Sequence, residues 1–449
     1  NYLTLFSREG IQMPQQGDPM DKRRQKREAQ RVRRQAQVRR LRLTVLLAAL
    51  VAAGCAFGVY RLTKKDAGDT TPAQVQTVPT TEAPRETSPA QKSPITTIHI
   101  RAAGDLNVTD AVVDAGISVN SYDFSPVFKD VSALLSDADL TVMNFEGNIY
   151  GEPYGTGTTS APAELLTALR GCGVDLLQMA NSCAINNGLN GLTATLNAIR
   201  QAGIEPVGAF GSSSEFKESK GYTMTEIQGV KVGFVAFTKG LGGRGMPAGN
   251  EDLVNLLYED YATEYKTIAR DKITSILKSM EAEKPDLTVA LLHWGSEYND
   301  DISKTQEQIV SLLQKNGVDV ILGTHPHTLQ TIDYNKSAGT LVAYSLGDFF
   351  GDASRGATNY SVIIDLEITK DSNAGTTKVT DYTLYPIYTV RETECVGNSD
   401  RRVVRIEKAI QAYNGNFLDK VTDTCKDSME YALQRVDERT AVASDDDSK

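Results

Sequence analysis

Cysteine and histidine are scarce in this chain, which holds five and four of them, respectively, among 449 residues. So few cysteines in so long a chain exclude a disulfide-rich scaffold. Cys395 and Cys425 flank a C-terminal region with helical spacing. A disulfide between these two is permitted outside the cell, where such bonds persist, and the sequence alone leaves the pairing open.

Three of the four histidines follow apolar runs that are typical of buried strands. His293 ends the run Leu287-Thr-Val-Ala-Leu-Leu-His293, and His325 and His327 follow Val318 to Leu322. Chemistry in α/β folds is placed at strand ends, and neutral imidazole is the commonest metal ligand. The pattern therefore predicts a metal site, with ordinary loop histidines as the alternative. His99 lies inside an alternating strand pattern and is predicted to be structural.

Positive charge is concentrated at the start of the chain. The net charge is −10, of which residues 1–42 contribute +8, so the remainder carries −18. A basic arm on an acidic body is typical of nucleic-acid-binding proteins, but the segment that follows the arm indicates a membrane anchor instead. Residues 43–60 form an 18-residue run without a charge, long enough to cross a bilayer. The basic flank stays inside by the positive-inside rule.

We therefore predict a basic cytoplasmic arm (1–42), a single transmembrane helix (43–62), a disordered Thr/Pro-rich linker (63–95) and an extracellular body. No nucleic-acid partner is expected. A cleaved signal peptide is disfavoured by the long basic region and by the lack of a small-x-small cleavage site. Ala52-Ala-Gly-Cys55 resembles a lipoprotein processing site only weakly. The chain starts with Asn, and Met13 or Met20 could be the initiator.

Strand and helix patterns alternate through residues 96–390, which predicts an α/β fold. One prediction is a long amphipathic helix from Ala262 to Glu283. After Thr328 the pattern turns to strands, which we expect to form a second sheet packed on the first. Residues 391–438 are predicted to be a helical extension, with helices at Arg402–Tyr413 and Phe417–Val436. Residues 439–449 read as a disordered acidic tail.

Five predicted strand ends carry side chains of metal-ligand type: Gly104-Asp105, Asn144-Phe-Glu146, Ala180-Asn181, His293-Trp-Gly295 and His325-Pro-His327. A two-metal hydrolytic site combines carboxylate or amide oxygens with imidazoles. Gly-Asp alone is a common pair, but five such ends in order form a specific pattern. The alternative for Asp105 and Asn181 is that each caps the next helix.

These motifs resemble the CapA (PgsA) family of capsule or poly-γ-glutamate biosynthesis proteins over roughly residues 98–366. The matching residues are Gly104-Asp105, Asn144-Phe-Glu146, Gly188-Leu-Asn-Gly-Leu192, His293-Trp-Gly-Ser-Glu-Tyr298, Gly323-Thr-His-Pro-His327 and Tyr344-Ser-Leu-Gly347. The resemblance implies a four-layered α/β/β/α sandwich of the calcineurin-type metallophosphatase kind. It also implies one or two divalent metal ions of the Mn, Zn or Fe type.

The site residues follow from the same resemblance. The implied metal ligands are Asp105, Asn144, Glu146, His293, His325 and His327. Catalytic roles fall on Asn181, Cys183 and His325. The expected substrate contacts are Trp294 and Glu297 of the His293 to Tyr298 motif, together with Lys239 and Arg244, which are suggested by a glycine-rich stretch and not by the resemblance.

The chain departs from the family pattern on one loop. The family reads Ala-Asn-Asn-His, with an Asp three residues later, whereas this chain has Ala180-Asn-Ser-Cys183 and Asn186. Asp348 also stands where the family usually has Asn. The resemblance implies that the missing histidine is well placed to protonate a leaving group or to steady a phosphate, whereas a thiol makes only weak hydrogen bonds. The departure therefore indicates that this chain either lost the protonation of a leaving group or uses another residue for that step. Thiolate ligation of a metal by Cys183 is the alternative.

A glycine-rich stretch, Lys239-Gly-Leu-Gly-Gly-Arg-Gly245, lacks the Gly-Lys-Ser/Thr ending of a P-loop. We predict a loop beside the site, where Lys239 and Arg244 can touch an anionic ligand. The predicted function is a membrane-anchored extracytoplasmic protein of capsule or poly-γ-glutamate synthesis or export. Its predicted partners are membrane-bound polymer synthase components and an anionic polymer. Two mechanisms stay open, a metal-dependent phosphoesterase or polymer hydrolase and a metal-supported binding module.

Overall fold

The computed structural model describes residues 94–395, 401–415 and 421–440. The candidate site lies within one compact unit, which contains the described residues except Ser118–Ser121. The predicted arm (1–42), transmembrane helix (43–62) and nearly all of the linker (63–95) lie outside the described residues, as does most of the acidic tail. In the described part of the chain, no helix is long and apolar enough to cross a membrane.

The first sheet is built around the long strand β1 (Ile95–Asn107), which is parallel to β2 and antiparallel to β12. The order along this sheet is β14-β13-β12-β1-β2-β3-β4, and β11 adds to the C-terminal end of β1. The other strands are β2 (Leu140–Glu146), β3 (Leu176–Gln178), β4 (Glu205–Val207), β11 (Asp348–Phe350), β12 (Tyr360–Asp371), β13 (Thr376–Val390) and β14 (Arg402–Arg405).

The second sheet has the order β5-β6-β7-β8-β10-β9. Its strands are β5 (Thr223–Ile227), β6 (Val230–Thr238), β7 (Leu287–His293), β8 (Val320–Thr324), β9 (Ile332–Asn335) and β10 (Thr340–Ala343). Strands β6, β7, β8 and β10 run parallel, so the carboxyl ends of β7 and β8 emerge at the same edge. This edge carries all three histidines of the predicted metal site.

The described helices are α1 (Asp110–Ala115), α2 (Ser125–Ser136), α3 (Glu164–Gly171), α4 (Gly188–Gln201), α5 (Ser213–Ser219), α6 (Arg270–Glu281), α7 (Lys304–Lys315), α8 (Ile406–Asn414) and α9 (Asp423–Thr440). Helix α7 begins with a capping box between Ser303 and Gln306, which satisfies free backbone donors at the helix start. Apolar residues at helical spacing bury one face of α2, α3, α4, α6 and α7.

The core divides along the second sheet. Val289 and Leu291 of β7 belong to the cluster that contains the first sheet and helices α2 to α4. Ala290 and Leu292 point to the other side and join the cluster of α6 and α7. Successive side chains of a strand alternate between its two faces. One face of the second sheet therefore packs against the first sheet and the other packs against helices, which confirms the predicted α/β class.

The long helix predicted from Ala262 is wrong in its first eight residues, because α6 begins only at Arg270. The Asp260 carboxylate accepts the backbone N–H groups of Lys266 and Thr267. The intervening Tyr265 has a φ of 55°, in the left-handed region that a right-handed helix does not use. These contacts hold residues 260–267 as a turn.

The assignment of the late strands to a separate sheet is correct for two of them and wrong for the others. Only β9 and β10 join the second sheet, whereas β12 to β14 extend the first. The predicted helix from Arg402 begins instead at Ile406, because Arg402–Arg405 pairs with Val390–Ile387 of β13. Within the stretch 391–438, the described residues thus include a strand of the main sheet. Cys395 and Cys425 are free thiols.

Candidate metal centre

Asp105 lies at the point where β1 meets β11 and is fully buried. Its backbone N–H donates to the carbonyl oxygen of Gly347 at 2.9 Å. A Cβ on Gly104 would lie 1.7 Å from that same oxygen, so only glycine allows this close approach. The two carboxylate oxygens accept from the Asn144 side-chain amide at 2.5 Å and from the His325 backbone N–H at 2.9 Å. The aspartate is therefore held firmly between three strand ends.

Glu146 ends β2 and turns both carboxylate oxygens into the same cluster. Oε1 accepts from the Ser182 hydroxyl at 2.6 Å and lies 3.4 Å from His293 Nε2. Oε2 lies 3.8 Å from His327 Nε2, yet it is buried with no hydrogen-bond partner among the described residues. A buried carboxylate oxygen without a partner is costly. It is the strongest sign in the structure that these residues can hold a cation.

The three predicted histidines converge, although His293 and His325 lie on different strands. His293 Nε2 is 3.0 Å from His325 Nδ1 and 2.8 Å from Ser182 Oγ. His325 and His327 have φ values of 92° and 60°. Such positive values are unfavourable for residues with a Cβ, and strained backbone of this kind concentrates at functional sites. The tight turn after β8 thus aims both imidazoles inward.

The orientation of His327 is set by Asp348, whose Oδ1 lies 2.7 Å from His327 Nδ1. This contact leaves Nε2 free to face Glu146 Oε2. Metal-binding histidines commonly use their second ring nitrogen to bind a carboxylate, which fixes the ring. Asp348 was noted in the sequence as a departure from the family pattern, and its position beside His327 gives that departure a structural role.

Two donor groups are close enough to hold metal ions. One consists of Glu146, His293 and His325, and the other of Asp105, Glu146 and His327. Within each group the ligand atoms lie within 4.8 Å of one another. Glu146 belongs to both groups, so it would be the ligand that they have in common. Mixed carboxylate and imidazole donors suit Zn, Mn and Fe, and these residues therefore fit a two-metal centre.

The pKa values of the clustered side chains are also consistent with a site for cations. Burial raises the pKa of Asp105. Burial acts in the same direction on Glu146, but the neighbouring histidines, His293 first, lower its pKa below the usual range. Burial and then His293 lower the pKa of His325 well below its ordinary value. Burial disfavours the charged form of His327, but Asp348 raises its pKa to about 11. Three buried carboxyl groups, those of Asp105, Glu146 and Asp348, therefore surround His327, whose imidazole favours its protonated form.

We expect metal affinity to fall on acidification, because a cation at His327 must displace the proton that this imidazole holds up to a pKa of about 11. The apparent affinity should drop about tenfold per pH unit for each proton displaced. Competition with a metal-sensitive dye between about pH 6 and pH 9 measures the slope. His327→Gln removes one such proton and should make the slope shallower. An affinity that is independent of pH would contradict this assignment.

Asn181 and Cys183, both predicted to be catalytic, lie beside the cluster. The Asn181 amide donates to the Phe145 carbonyl oxygen at 2.7 Å and to the Asn144 side-chain oxygen at 3.2 Å. Asn181 thus positions Asn144. Cys183 Sγ lies 3.9 Å from Glu146 Oε1. Burial, and then the charge of Glu146, raises the pKa of the Cys183 thiol well above its ordinary value. The thiol stays protonated at neutral pH, which disfavours thiolate ligation.

The four predicted substrate contacts have different surroundings. Trp294 requires a correction, because it is fully buried, stacks on Tyr344 and donates its indole N–H to the Tyr344 carbonyl oxygen at 2.8 Å. It has no surface to offer a substrate. Glu297 and Arg244 are exposed, and the Arg244 guanidinium donates to Asn186 Oδ1 at 2.7 Å. Lys239 is half-buried and donates to the Gly295 carbonyl oxygen at 2.6 Å.

Ser182 and Tyr298 are site residues that the sequence did not single out. Ser182 contacts both Glu146 and His293, and Tyr298 stacks on His327. Tyr298 lies inside the motif His293 to Tyr298 that carries the family resemblance, whereas Ser182 lies in Ala180-Asn-Ser-Cys183, where the chain departs from the family pattern. The available signal was therefore their position beside predicted site residues, since serine and tyrosine are too common to be informative by themselves.

Comparison with known proteins agrees with the motifs. The family described as "Bacterial capsule synthesis protein PGA_cap" matches residues 99–353. The capsule biosynthesis protein CapA of Bacillus anthracis is 27% identical over 263 residues, which cover 57% of this chain and 61% of that protein. The PGA biosynthesis protein CapA of Bacillus subtilis (strain 168) is 27% identical over 251 residues, covering 55% and 62%. The chain thus spans about three fifths of the length of these relatives.

Among solved structures, the chain is similar to the calcineurin-like phosphoesterase YfkN from Bacillus subtilis, with a TM-score of 0.41 and 18% identity over 76% of this chain and all of that one. A phosphatase from Mycoplasma pneumoniae gives a TM-score of 0.41 and 14% identity, over 66% and 94% of the two chains. Since the family match covers more than half of the 449 residues, this chain belongs to the bacterial capsule synthesis protein PGA_cap family.

Proposed function

We propose that this chain is a membrane-anchored extracytoplasmic protein that acts in the synthesis or export of an anionic capsule polymer such as poly-γ-glutamate. Its body is a four-layered sandwich of the metallophosphatase type with a two-metal centre. Membrane-bound synthase components are its partners. Family membership supports the capsule role, and the relatives named CapA support it further.

A single observation carries the metal centre, namely the buried Oε2 of Glu146, which has no hydrogen-bond partner among the described residues and lies between two groups of metal-ligand side chains. Divalent cations held there by Asp105, Glu146 and the three histidines would supply positive charge that polarises a ligand oxygen and lowers the pKa of water. Asp348 holds the ring of His327, and Asn181 holds Asn144 beside Asp105. The protein thus contributes a rigid, water-poor set of ligands.

The changed loop favours binding without hydrolysis. Cys183 occupies the position of the expected histidine, and its raised pKa makes the thiol a poor proton donor at neutral pH. Asn186 replaces the expected carboxylate and contacts Thr159 and Arg244 instead. We therefore favour a centre that binds an anionic group of the polymer.

Hydrolysis is the second candidate, because the two donor groups are complete despite the changed loop. The reaction would be cleavage of a phosphoester or of a polymer linkage. An assay of the purified full chain, loaded with Mn²⁺, Zn²⁺ or Fe²⁺ and given a generic phosphodiester, separates the candidates. Turnover by the wild-type chain supports the hydrolase, and stoichiometric metal without turnover supports the binding module.

The proposed topology gives a direct prediction. Protease added to intact cells should release the body, because residues 63–95 would be exposed outside and residues 43–62 would stay in the membrane. Antibodies against the arm (1–42) and against the body, applied to blots, follow the two parts. Cells opened before digestion serve as the control. A body that resists protease while the arm is cut would reverse the orientation.

A further inference from the structure

Three side chains form a stack that leads from the metal centre to the surface. The ring of Tyr298 lies over His327, with ring centres 5.5 Å apart and planes inclined by 26°. The guanidinium carbon of Arg355 lies 4.1 Å from the centre of the Tyr298 ring. Tyr298 is 40% exposed, whereas His327 is buried. The stack therefore joins a predicted metal ligand to an exposed cation.

The backbone at Tyr298 is held in an unfavourable conformation. Its φ is 58°, and its N–H donates to the carbonyl oxygen of Pro326 at 2.8 Å. This bond ties the loop after β7 to the turn that carries His325 and His327. Strained backbone persists only where the surroundings impose it, so the position of Tyr298 over His327 is fixed by the fold.

Arg355 is poised to bind an anion. It is exposed, and its guanidinium makes no ion pair with any carboxylate of the described residues. Cation–π contact with Tyr298 fixes the position of its flexible side chain. A guanidinium held in one place loses less entropy on binding, and its planar fork matches carboxylate and phosphate oxygens.

Both loops of the stack are braced by residues C-terminal to the family match at 99–353. On the Tyr298 loop, Asp300 Oδ2 accepts from Arg439 at 2.5 Å and lies 3.8 Å from Arg435. On the Arg355 loop, the buried Arg401 donates to the Asp352 carbonyl oxygen at 2.5 Å. The C-terminal segment therefore fixes the two loops that bring Tyr298 and Arg355 together.

We propose that Arg355, held over Tyr298 at the edge of the metal centre, binds an oxyanion of the ligand, which is either a carboxylate or a phosphate. Tyr298 is the positioning residue. This inference rests on the proposed function, because the same ligand is taken to reach the metal centre. The chain beyond residue 42 carries a net charge of −18 and therefore repels polyanions at long range. A cation at the edge of the site offsets this repulsion locally.

The test measures binding to the purified, metal-loaded full chain by calorimetry. Two ligands are compared, inorganic phosphate and a γ-linked glutamate trimer. Arg355→Ala should weaken binding by about tenfold or more, as expected for a lost charged hydrogen bond. Tyr298→Ala should weaken it similarly, whereas Tyr298→Phe keeps the ring and should not. Arg270→Ala is the matched control, because Arg270 is an exposed arginine at the start of α6. Metal content is measured for every variant.

The ligand whose binding is weakened by Arg355→Ala identifies the oxyanion as phosphate, carboxylate or both. Equal affinities of the wild-type chain and Arg355→Ala for both ligands, at equal metal content, overturn the proposal. So does the absence of binding by the wild-type chain. Failure of the proposed metal centre is detected separately, as a wild-type chain that contains no metal. In that case, binding of the glutamate trimer still shows whether Arg355 contributes.

Discussion

Replacement of both His325 and His327 by alanine should lower the metal content of the purified chain from near one or two ions to below about 0.1 per chain. Each histidine belongs to a different donor group, so the double variant damages both sites. Elemental analysis after purification in metal-supplemented medium measures the loss. A wild-type chain with less than about 0.1 metal per chain would refute the metal centre itself.

Two further variants distinguish the loss of metal ligands from misfolding of the chain. Glu146→Gln keeps the shape of the side chain but removes the charge of the ligand shared by both groups, so it should also release metal. His99→Ala is the matched control, because His99 is part-exposed and contacts Asp365 on β12. It should keep full metal content. Circular dichroism checks that all variants retain their fold.

Cys183→His combined with Asn186→Asp should raise phosphodiesterase turnover by about 10²–10⁴-fold, the usual contribution of a positioned general acid. The metal content should not change, because the double variant leaves every proposed ligand in place. Cys183 Sγ lies 3.9 Å from Glu146 Oε1, so an imidazole at this position reaches the centre. The native protein should accordingly be a poor phosphodiesterase.

The second substitution has a separate structural reason. Asn186 donates to Thr159 and accepts from Arg244, and Thr159 also interacts with the Cys183 thiol. Residues 183 and 186 thus share a neighbour, and an aspartate at 186 can orient an imidazole at 183. Cys183→Ser, which adds no proton donor of suitable pKa, should give no gain. High turnover by the wild-type chain, with no gain in the double variant, would mean that the enzyme uses another acid.

Much of the candidate site was predictable from the sequence because a strand that ends in a polar residue leaves a local signature. Asp105, Glu146 and His293 each follow or end an apolar run, and the structure places all three in the metal centre. The α/β class was predictable for the same reason, since hydrophobic periodicity depends only on neighbours in the chain. The termini of elements were less predictable, as the late start of α6 at Arg270 shows.

The remaining features depend on residues far apart in sequence. Trp294 sits in a motif that suggested substrate contact, but packing against Tyr344 buries it completely. The partnership of His327 with Asp348, and the stacking of Arg355 on Tyr298, join separate loops. The assignment of β12 to β14 to the first sheet required knowing which strand edges were free.

By itself, the sequence determined the family, the α/β class and the chemical identity of the metal-ligand side chains, because each of these is encoded in short local patterns. Only the tertiary structure decided that Glu146 is shared between two donor groups, with one oxygen that accepts no hydrogen bond from the described residues. It also decided that Cys183 is a buried, protonated thiol beside that carboxylate. The physical reason is that burial, electrostatic coupling and hydrogen-bond satisfaction arise only when distant strand ends meet.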